Sequence, residues 1–304
     1  MAQVKEYARL TIEEIAALDK EKTIFFLAVS PLEAHGPHLP VGTDIFVAQE
    51  LQRRYIAALQ EEFPEYAYVT LPPLFAGADA LPCGGSLSVP APVLKGLLLA
   101  YARGLSCQGF KYLFLSDNHG GPRHQLGVES AARKANKKYG FHVIDPFGEV
   151  FRLMVEHDAE FLRETGLSPG CCGDDADAHA GTNETSLMLA SFPHMVQGDV
   201  DSIPPSLPAK PSAALLFVAK AAGIFSPRLR GELIHLANTL AWVSSPSMLP
   251  YMGEPSRASK EAGEAMLQAR VRIALQLFRR ALSGEDVKIT PLLWSLRILQ
   301  RLPE

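Results

Sequence analysis

No stretch of this chain stays apolar long enough to cross a bilayer. The longest uncharged apolar runs, around residues 23–32 and 213–219, fall well short of the ~20 residues a spanning helix needs. A basic stripe is also missing. With 29 Lys+Arg against 33 Asp+Glu the formal net charge is −4, which argues against a dedicated nucleic-acid surface. Cysteine is scarce: Cys83, Cys107, Cys171 and Cys172 form no C-x-x-C, and the vicinal pair is poorly placed for an ordinary disulfide framework. The first residues, Met1-Ala2-Gln3-Val4-Lys5, carry no apolar signal segment. Internal repeats and low-complexity tracts are absent, and no linker stands out at which to divide the chain. The expectation is a reduced, soluble, cytoplasmic protein, one domain over residues 1–304, with a small-molecule partner and neither nucleic acid nor membrane.

What is present is alternation. Thr11-Ile12-Glu13-Glu14 is a capping-box pattern that opens a short helix. Residues 23–29 are apolar without a polar face, as in a strand buried on both sides of a parallel sheet. A helix over 45–62 follows, with Asp44 at its N-cap. The same reading gives strands at 66–70, 110–115 and 141–144, and helices at 93–107, from 122 through 138, and at 150–164. Strand and helix in turn predict an α/β fold with a mostly parallel central sheet and helices on both faces. Beyond residue 170 the pattern changes. A small, polar loop leads into a helix at 184–190, and 193–211 is proline-rich and extended. Residues 213–241 are helical with a break near 223–227, and a long helix covers 256–281. The apolar tail from 289 reads as a helix packing on a neighbour. The segment 74–92 is too long and too rich in Gly and Pro to be a plain connection, and such loops are usually functional.

The richest chemistry lies at residues 30–44, just past the first strand, at the edge where open α/β sheets bind ligands. Glu33 and His35 are two apart and point the same way in extended chain. Asp44 follows after a Gly/Pro turn that can fold it back. Glu, His and Asp make up the nitrogen and oxygen ligand set of Zn²⁺, Mn²⁺ or Fe²⁺. Singly, each has a plainer explanation: a cap for Asp44, a backbone hydrogen bond for His35, solvent for Glu33. Three around one tight turn at a strand end favour metal. A second cluster, Asn118-His119-Gly120-Gly121, ends another strand on the same edge, although alone it could be only a turn. In a third, His179 lies in a loop and Glu184 in the first turn of a helix, where a carboxylate can simply answer the helix dipole. His38 reads as a buried, hydrogen-bonded histidine and His124 as solvent-exposed. His142, His157, His194 and His235 read as structural or surface.

Together these clusters resemble the creatininase family (creatinine amidohydrolase and its relatives). The family signature E-x-H-G-x-H-L-P-x-G-T-D is matched at every fixed position from Glu33 to Asp44, H-G-G by His119-Gly120-Gly121, and H-A-G-x-x-E-T-S by His179 to Ser186. A fourth pattern appears as Gly253-Glu254-Pro255 with Ala258, Glu261 and Gly263. The resemblance runs from about residue 8 to 283. It implies a three-layer α/β/α domain, two divalent metal ions (zinc first, manganese or iron(II) otherwise) and a homo-oligomer, often a hexamer. It implies that Glu33 and His119 hold one ion and His35 the other, that Asp44 bridges both, and that Glu184 completes the second site. His179 matches a histidine proposed to shuttle the proton. Residues 200–245 look longer than the family core, and about 285–304 look like an extension. Creatininase itself places a glutamate ligand where this chain has Gly121, and Pro122 replaces an amide side chain of the family pattern. Cys171, Cys172, Asp174, Asp175 and Asp177 crowd the loop before His179.

Two ions ~3.5–4 Å apart share a water and bring its pKa toward neutrality. The function implied is a hydrolase of a non-peptide C–N bond, in a cyclic amide or formamide, through a hydroxide bridging the two ions, with Glu184 and His179 in catalytic roles. Creatinine itself is not the expected substrate. One alternative is carbon–carbon hydrolysis of a cyclic sugar-derived ketone on the same metals. Another is a non-catalytic metal-binding oligomer, which would call for a broken ligand. Arg123 is the one basic residue beside these clusters, so little in the sequence speaks for a phosphorylated substrate.

Overall fold

Two of the apolar runs lie side by side at the centre of a parallel sheet. The computed structural model describes residues 4–301. Strand β2 (Thr23–Ser30) is buried along its whole length. It has a parallel neighbour on each side, β3 (Ala67–Thr70) and β5 (Tyr112–Ser116). Beyond them lie β1 (Lys5–Glu6) at one edge and β6 (His142–Ile144) at the other, while β4 (Leu74–Phe75) pairs with the end of β2. All these pairings are parallel, as the strand–helix alternation predicts. The two-residue β1 carries no apolar pattern that would betray it in sequence.

Side chains alternate along β2 and so feed two cores. Ile24 and Phe26 join the side chains of α2 (Thr43–Glu62), α7 (Thr182–Ser191) and α10 (Lys260–Leu282). Phe25, Leu27 and Val29 join α3 (Ala91–Cys107) and α4 (Pro122–Tyr139) on the other face. This is the three-layer α/β/α arrangement. At the centre of the first core Phe114 and Phe278 stack with centroids 4.1 Å apart and planes 2° from parallel.

Several boundaries differ from expectation, each for a local reason. The helix α1 (Ile12–Ala16) has the predicted capping box. Helix α2 starts at Thr43, with Gly42 at the N-cap, so Asp44 sits in the first turn and caps nothing. The cause is a tight turn in which the amide and hydroxyl of Thr43 both donate to the Pro40 carbonyl, at 3.0 and 2.7 Å. The helix read over 150–164 is two, α5 (Phe147–Val155) and α6 (Ala159–Thr165). His157 breaks them at φ 54°, and Asp158 caps the second through the amides of Glu160 and Phe161. The segment 193–211 holds two short 3-10 turns, then α8 (Ala213–Ala222) and α9 (Pro227–Val243) form a hairpin broken where predicted. The tail forms a 3-10 segment, Trp294–Arg301, laid on α3 and α4, with the Arg133 guanidinium 4.0 Å over the Trp294 ring. Among the described residues no helix is long and apolar enough to cross a membrane.

Phe278 is fully buried and touches aromatic rings from β2, β5 and α2. Phe278→Ala is expected to destabilise the fold by roughly 3–5 kcal/mol, read as a lowered midpoint in urea unfolding. A shift under ~1 kcal/mol would show that α10 does not close this core.

Candidate metal centre

Parallel pairing of β2 with β5 puts Ala28 opposite Ser116, so both chains leave the sheet at one edge. There the residues that follow β2 meet those that follow β5. Glu33, His35, Asp44 and His119 are all buried, and Glu184 reaches them from the first turn of α7. The Nδ1 of His119 lies 2.9 Å from Oε2 of Glu33 and 3.3 Å from Oδ2 of Asp44. The Nε2 of His35 lies 3.5 Å from Oδ1 of Asp44 and 3.5 Å from Oε2 of Glu184. Each ring's other nitrogen faces a backbone carbonyl: His119 that of Ala78 at 2.8 Å, His35 that of Glu33 at 2.9 Å. Donating outward to a carbonyl sets the tautomer each ring takes once its inward proton is given up, with the lone pair facing inward.

Two groups of donors result, Glu33–Asp44–His119 and His35–Asp44–Glu184, and in each the ligand atoms lie within 4.8 Å of one another. Asp44 belongs to both. His179 forms a third group with Glu33 and His35. Its Nδ1 stands 3.8 Å from Glu184 and 4.0 Å from Glu33, and its Nε2 donates to the Ala34 carbonyl at 2.8 Å. All five expected ligands, and His179, therefore come together.

A carboxylate that the sequence treated as mere crowding positions Glu184. Asp177 accepts the amides of Thr182 at 2.6 Å and Asn183 at 2.9 Å, taking over the capping of α7. Burial pushes its carboxyl well above the usual range. Glu184 is thus released to accept from the Ala180 amide at 2.7 Å and from the Asn118 side chain at 3.1 Å. The Gly-Glu-Pro motif serves the same loop. A Cβ on Gly253, at φ 130°, would lie 2.2 Å from Oδ1 of Asp177, so only glycine admits the approach.

Sequence reasoning missed the layer beneath. Arg270, fully buried on α10, donates to Oδ1 of Asn118 at 2.5 Å, and the Asn118 amide donates to Asp44 at 2.9 Å. A signal existed: Arg270 is four residues from both Met266 and Ala274, on the apolar face of its helix. Asp117 accepts from Ser30, from Gln125 and from the amides of Asn118 and His119, at 2.7–3.0 Å. His124, expected at the surface, is fully buried 2.9 Å from Asp117, because the first turn of α4 points it back under the sheet edge. His38 is buried as expected, bonded to the Thr185 hydroxyl, and burial together with the charge of His35 pushes it down to about 4.

The electrostatics call for a cation. Burial works against every charge here, yet the carboxylates of Asp44 and Glu184 outweigh it and raise His35 to about 10. The imidazoles in turn hold Asp44 well below its ordinary range against the same burial. Oε2 of Glu33, Nε2 of His35 and Oδ2 of Asp44 are buried without any hydrogen bond. Orphaned donor atoms facing one another suit divalent ions better than any protein partner.

The creatininase family model, described as creatinine amidohydrolase, matches residues 8–278. The mycofactocin precursor peptide peptidase of Mycobacterium ulcerans (strain Agy99) is 27% identical over 262 residues, 85% of each chain. The creatinine amidohydrolase of Pseudomonas putida is 26% identical over 231 residues, 69% of this chain and 84% of that one. A solved structure of manganese creatininase superposes with a TM-score of 0.61 at 19% identity, covering 92% of this chain and 99% of its own, which speaks for the fold.

With His35 raised to about 10 and His119 raised well above the ordinary histidine range, both rings carry a second proton, on the inward nitrogen, at pH 7 in the ion-free protein. Coordination needs them neutral, so ion uptake at pH 7 is expected to release about two protons per chain, and affinity should rise with pH. Calorimetry in two buffers of different ionisation enthalpy reads this. Uptake without proton release would show that the imidazoles stay out of the coordination shell.

Proposed function

This chain belongs to the creatininase family, and on that premise we propose that it hydrolyses an amide C–N bond at a centre of two divalent ions, with creatinine outside its range. It is a hydrolytic enzyme of creatininase type. The observation that carries the finer reading is Asp44, whose two oxygens face two different groups of donors. Glu33 and His119 would hold one ion, His35 and Glu184 the other, and zinc suits this nitrogen-and-carboxylate set. Ions there would supply a Lewis acid for the scissile carbonyl and activate water at neutral pH.

The chain's own residues do the rest. Arg270 pulls on Asn118, and Asn118 holds Asp44 and Glu184 in place by one amide group. His179, anchored at Nε2, presents Nδ1 toward the reacting groups, where it would take up the proton that the attacking water gives up and pass it to the departing nitrogen. Burial of the site limits bulk water around that transfer. Arg123, the basic residue beside the clusters, is held by Asp79 through both guanidinium and amide, at 2.5 and 2.6 Å, which favours an uncharged leaving group over a phosphorylated one. The relatives named as peptide peptidases widen the candidates from cyclic amides and formamides to open-chain amides. A homo-oligomer fits the exposed apolar side chains of Phe217, Val218, Ile224 and Phe225 at the tip of the α8–α9 hairpin, a patch that monomers rarely leave bare.

Asp44→Ala is expected to lose both ions by elemental analysis, since it is shared. His179→Ala should keep them and lose ~10²–10⁴-fold in turnover. Two ions retained without Asp44, or full turnover without His179, would remove that residue's role.

The backbone, like the composition, supports the reading that creatinine is not the substrate. A Cβ at Gly121 would stand 2.4 Å from Nε2 of His119 and 2.6 Å from the Ala78 carbonyl, so no side chain can supply a ligand from there. The metallated enzyme should show kcat/KM for creatinine below ~10⁴ M⁻¹s⁻¹, the low end of ordinary efficiency. A higher value overturns the exclusion.

A further inference from the structure

The face of α4 turned toward the C-terminal segment carries charge of one sign. Between α3, α4 and the segment Trp294–Arg301 lies a cavity of about 540 Å³. Its lining includes Lys95, Arg133, Lys134, Lys137, Arg297 and Arg301, and no carboxylate among the described residues. These cations come from three stretches of chain, which is why no basic run marks them in the sequence. None of the clustered donors of the metal centre lines this space. Residues 294–301 also lie beyond the span matched by the family model, 8–278.

The cations are positioned rather than neutralised. Arg133 meets Glu129 at 2.6 Å and donates to the Ile289 carbonyl at 2.6 Å. The others meet no carboxylate among the described residues. Lys95 donates at 3.5 Å to Oε1 of Gln300, which is itself buried. Burial, followed by the charges of Lys134 and Arg301, lowers the Lys95 ammonium from its ordinary range. The guanidiniums of Arg133 and Arg297 lie 4.0 and 5.3 Å from the centroid of the Trp294 ring. That ring therefore steadies two cations. Like charges held this close repel one another, and a multiply charged anion between them removes that repulsion.

We propose that this cavity binds a small, soluble polyphosphate, held through its oxygens by Lys95, Lys134, Lys137, Arg297 and Arg301. The size suits a small molecule, since ligand pockets run to roughly 300–1,000 Å³. A single carboxylate would leave most of these cations unanswered, whereas a polyphosphate carries several charges along a short chain. Lysine ammoniums and arginine forks both take phosphate oxygens. With two guanidiniums over Trp294, recognition runs through the phosphates and not through a stacked base. The site stands apart from the donor centre and does not depend on the two-ion reading.

Tripolyphosphate titrated calorimetrically into the intact protein tests the site. Lys134→Glu should weaken binding by about tenfold or more, because it sets a negative charge in the cavity. Lys138→Glu, on the same helix but off the lining, makes the same change in net charge and should cost less than about twofold. Lys134→Arg should retain binding. Lys137→Glu, also exposed and on the lining, repeats the measurement should Lys134→Glu fail to fold. Any chelation of ions by the probe is common to all these proteins and cancels in the comparison. In a Trp242→Phe background, where Trp294 alone fluoresces, saturating tripolyphosphate should shift the emission. Equal losses in Lys134→Glu and Lys138→Glu, an unmoved Trp294 emission, or no binding at all overturns the proposal. So does tighter binding of an oligothymidylate or of phosphatidylserine vesicles, which would assign this face to nucleic acid or to membrane.

Discussion

Carboxylates buried within a few ångströms of one another repel, and removal from water adds to that cost. Glu33 and Asp44 are kept charged because positive groups are interleaved with them: His35 and His119 directly, Arg270 through Asn118. The imidazoles supply the compensation when no ion is present, which is why their protons are held so firmly. Divalent cations can replace those protons and leave the same carboxylates satisfied. The donor set and its pKa shifts are two descriptions of one balance of charge.

That balance fixes much of the surrounding architecture. Two parallel strands must end side by side so that Glu33 and His119 can meet. Asp117 must sit under the edge and gather Ser30, Gln125 and two backbone amides, or the second loop would not hold its shape. Asp177 must take over the capping of α7, or Glu184 would spend itself on the helix terminus. Long α10 serves twice, closing one core with Phe278 and bracing the site with Arg270. Stability and chemistry are coupled through that helix, eight residues apart on one face.

The α8–α9 hairpin is attached to this frame without taking part in the balance. It contributes none of the clustered donors. The Trp242 ring lies 5.7 Å from that of His179, and His235 and Asn238 meet Asp175 on the loop before His179. The acidic loop that looked like crowding in the sequence divides into separate tasks: Asp174 meets His157, Asp175 the hairpin, Asp177 the helix.

Local signals determined a large share of this protein. Unbroken apolar runs meant strands buried on both faces, since a half-exposed strand would alternate, and the strand–helix rhythm then allowed a parallel sheet. Dense spacing of Glu33, His35 and Asp44 around one turn made a shared centre legible, because those distances are set by a dozen residues of chain. What sequence could not deliver were contacts between segments far apart in it. The break at His157 depends on one residue held at positive φ, which no periodicity reveals. His124 looked exposed because its burial depends on Asp117 lying beneath it, and the use of Asp177 as a cap depends on Gly253 from 76 residues away. Arg270 comes under the site from a helix whose direction is set only when α10 packs on α7. Chain chemistry fixed which groups were available; the packing of distant helices decided which of them face the centre, because burial and hydrogen bonding there are properties of the assembled layers.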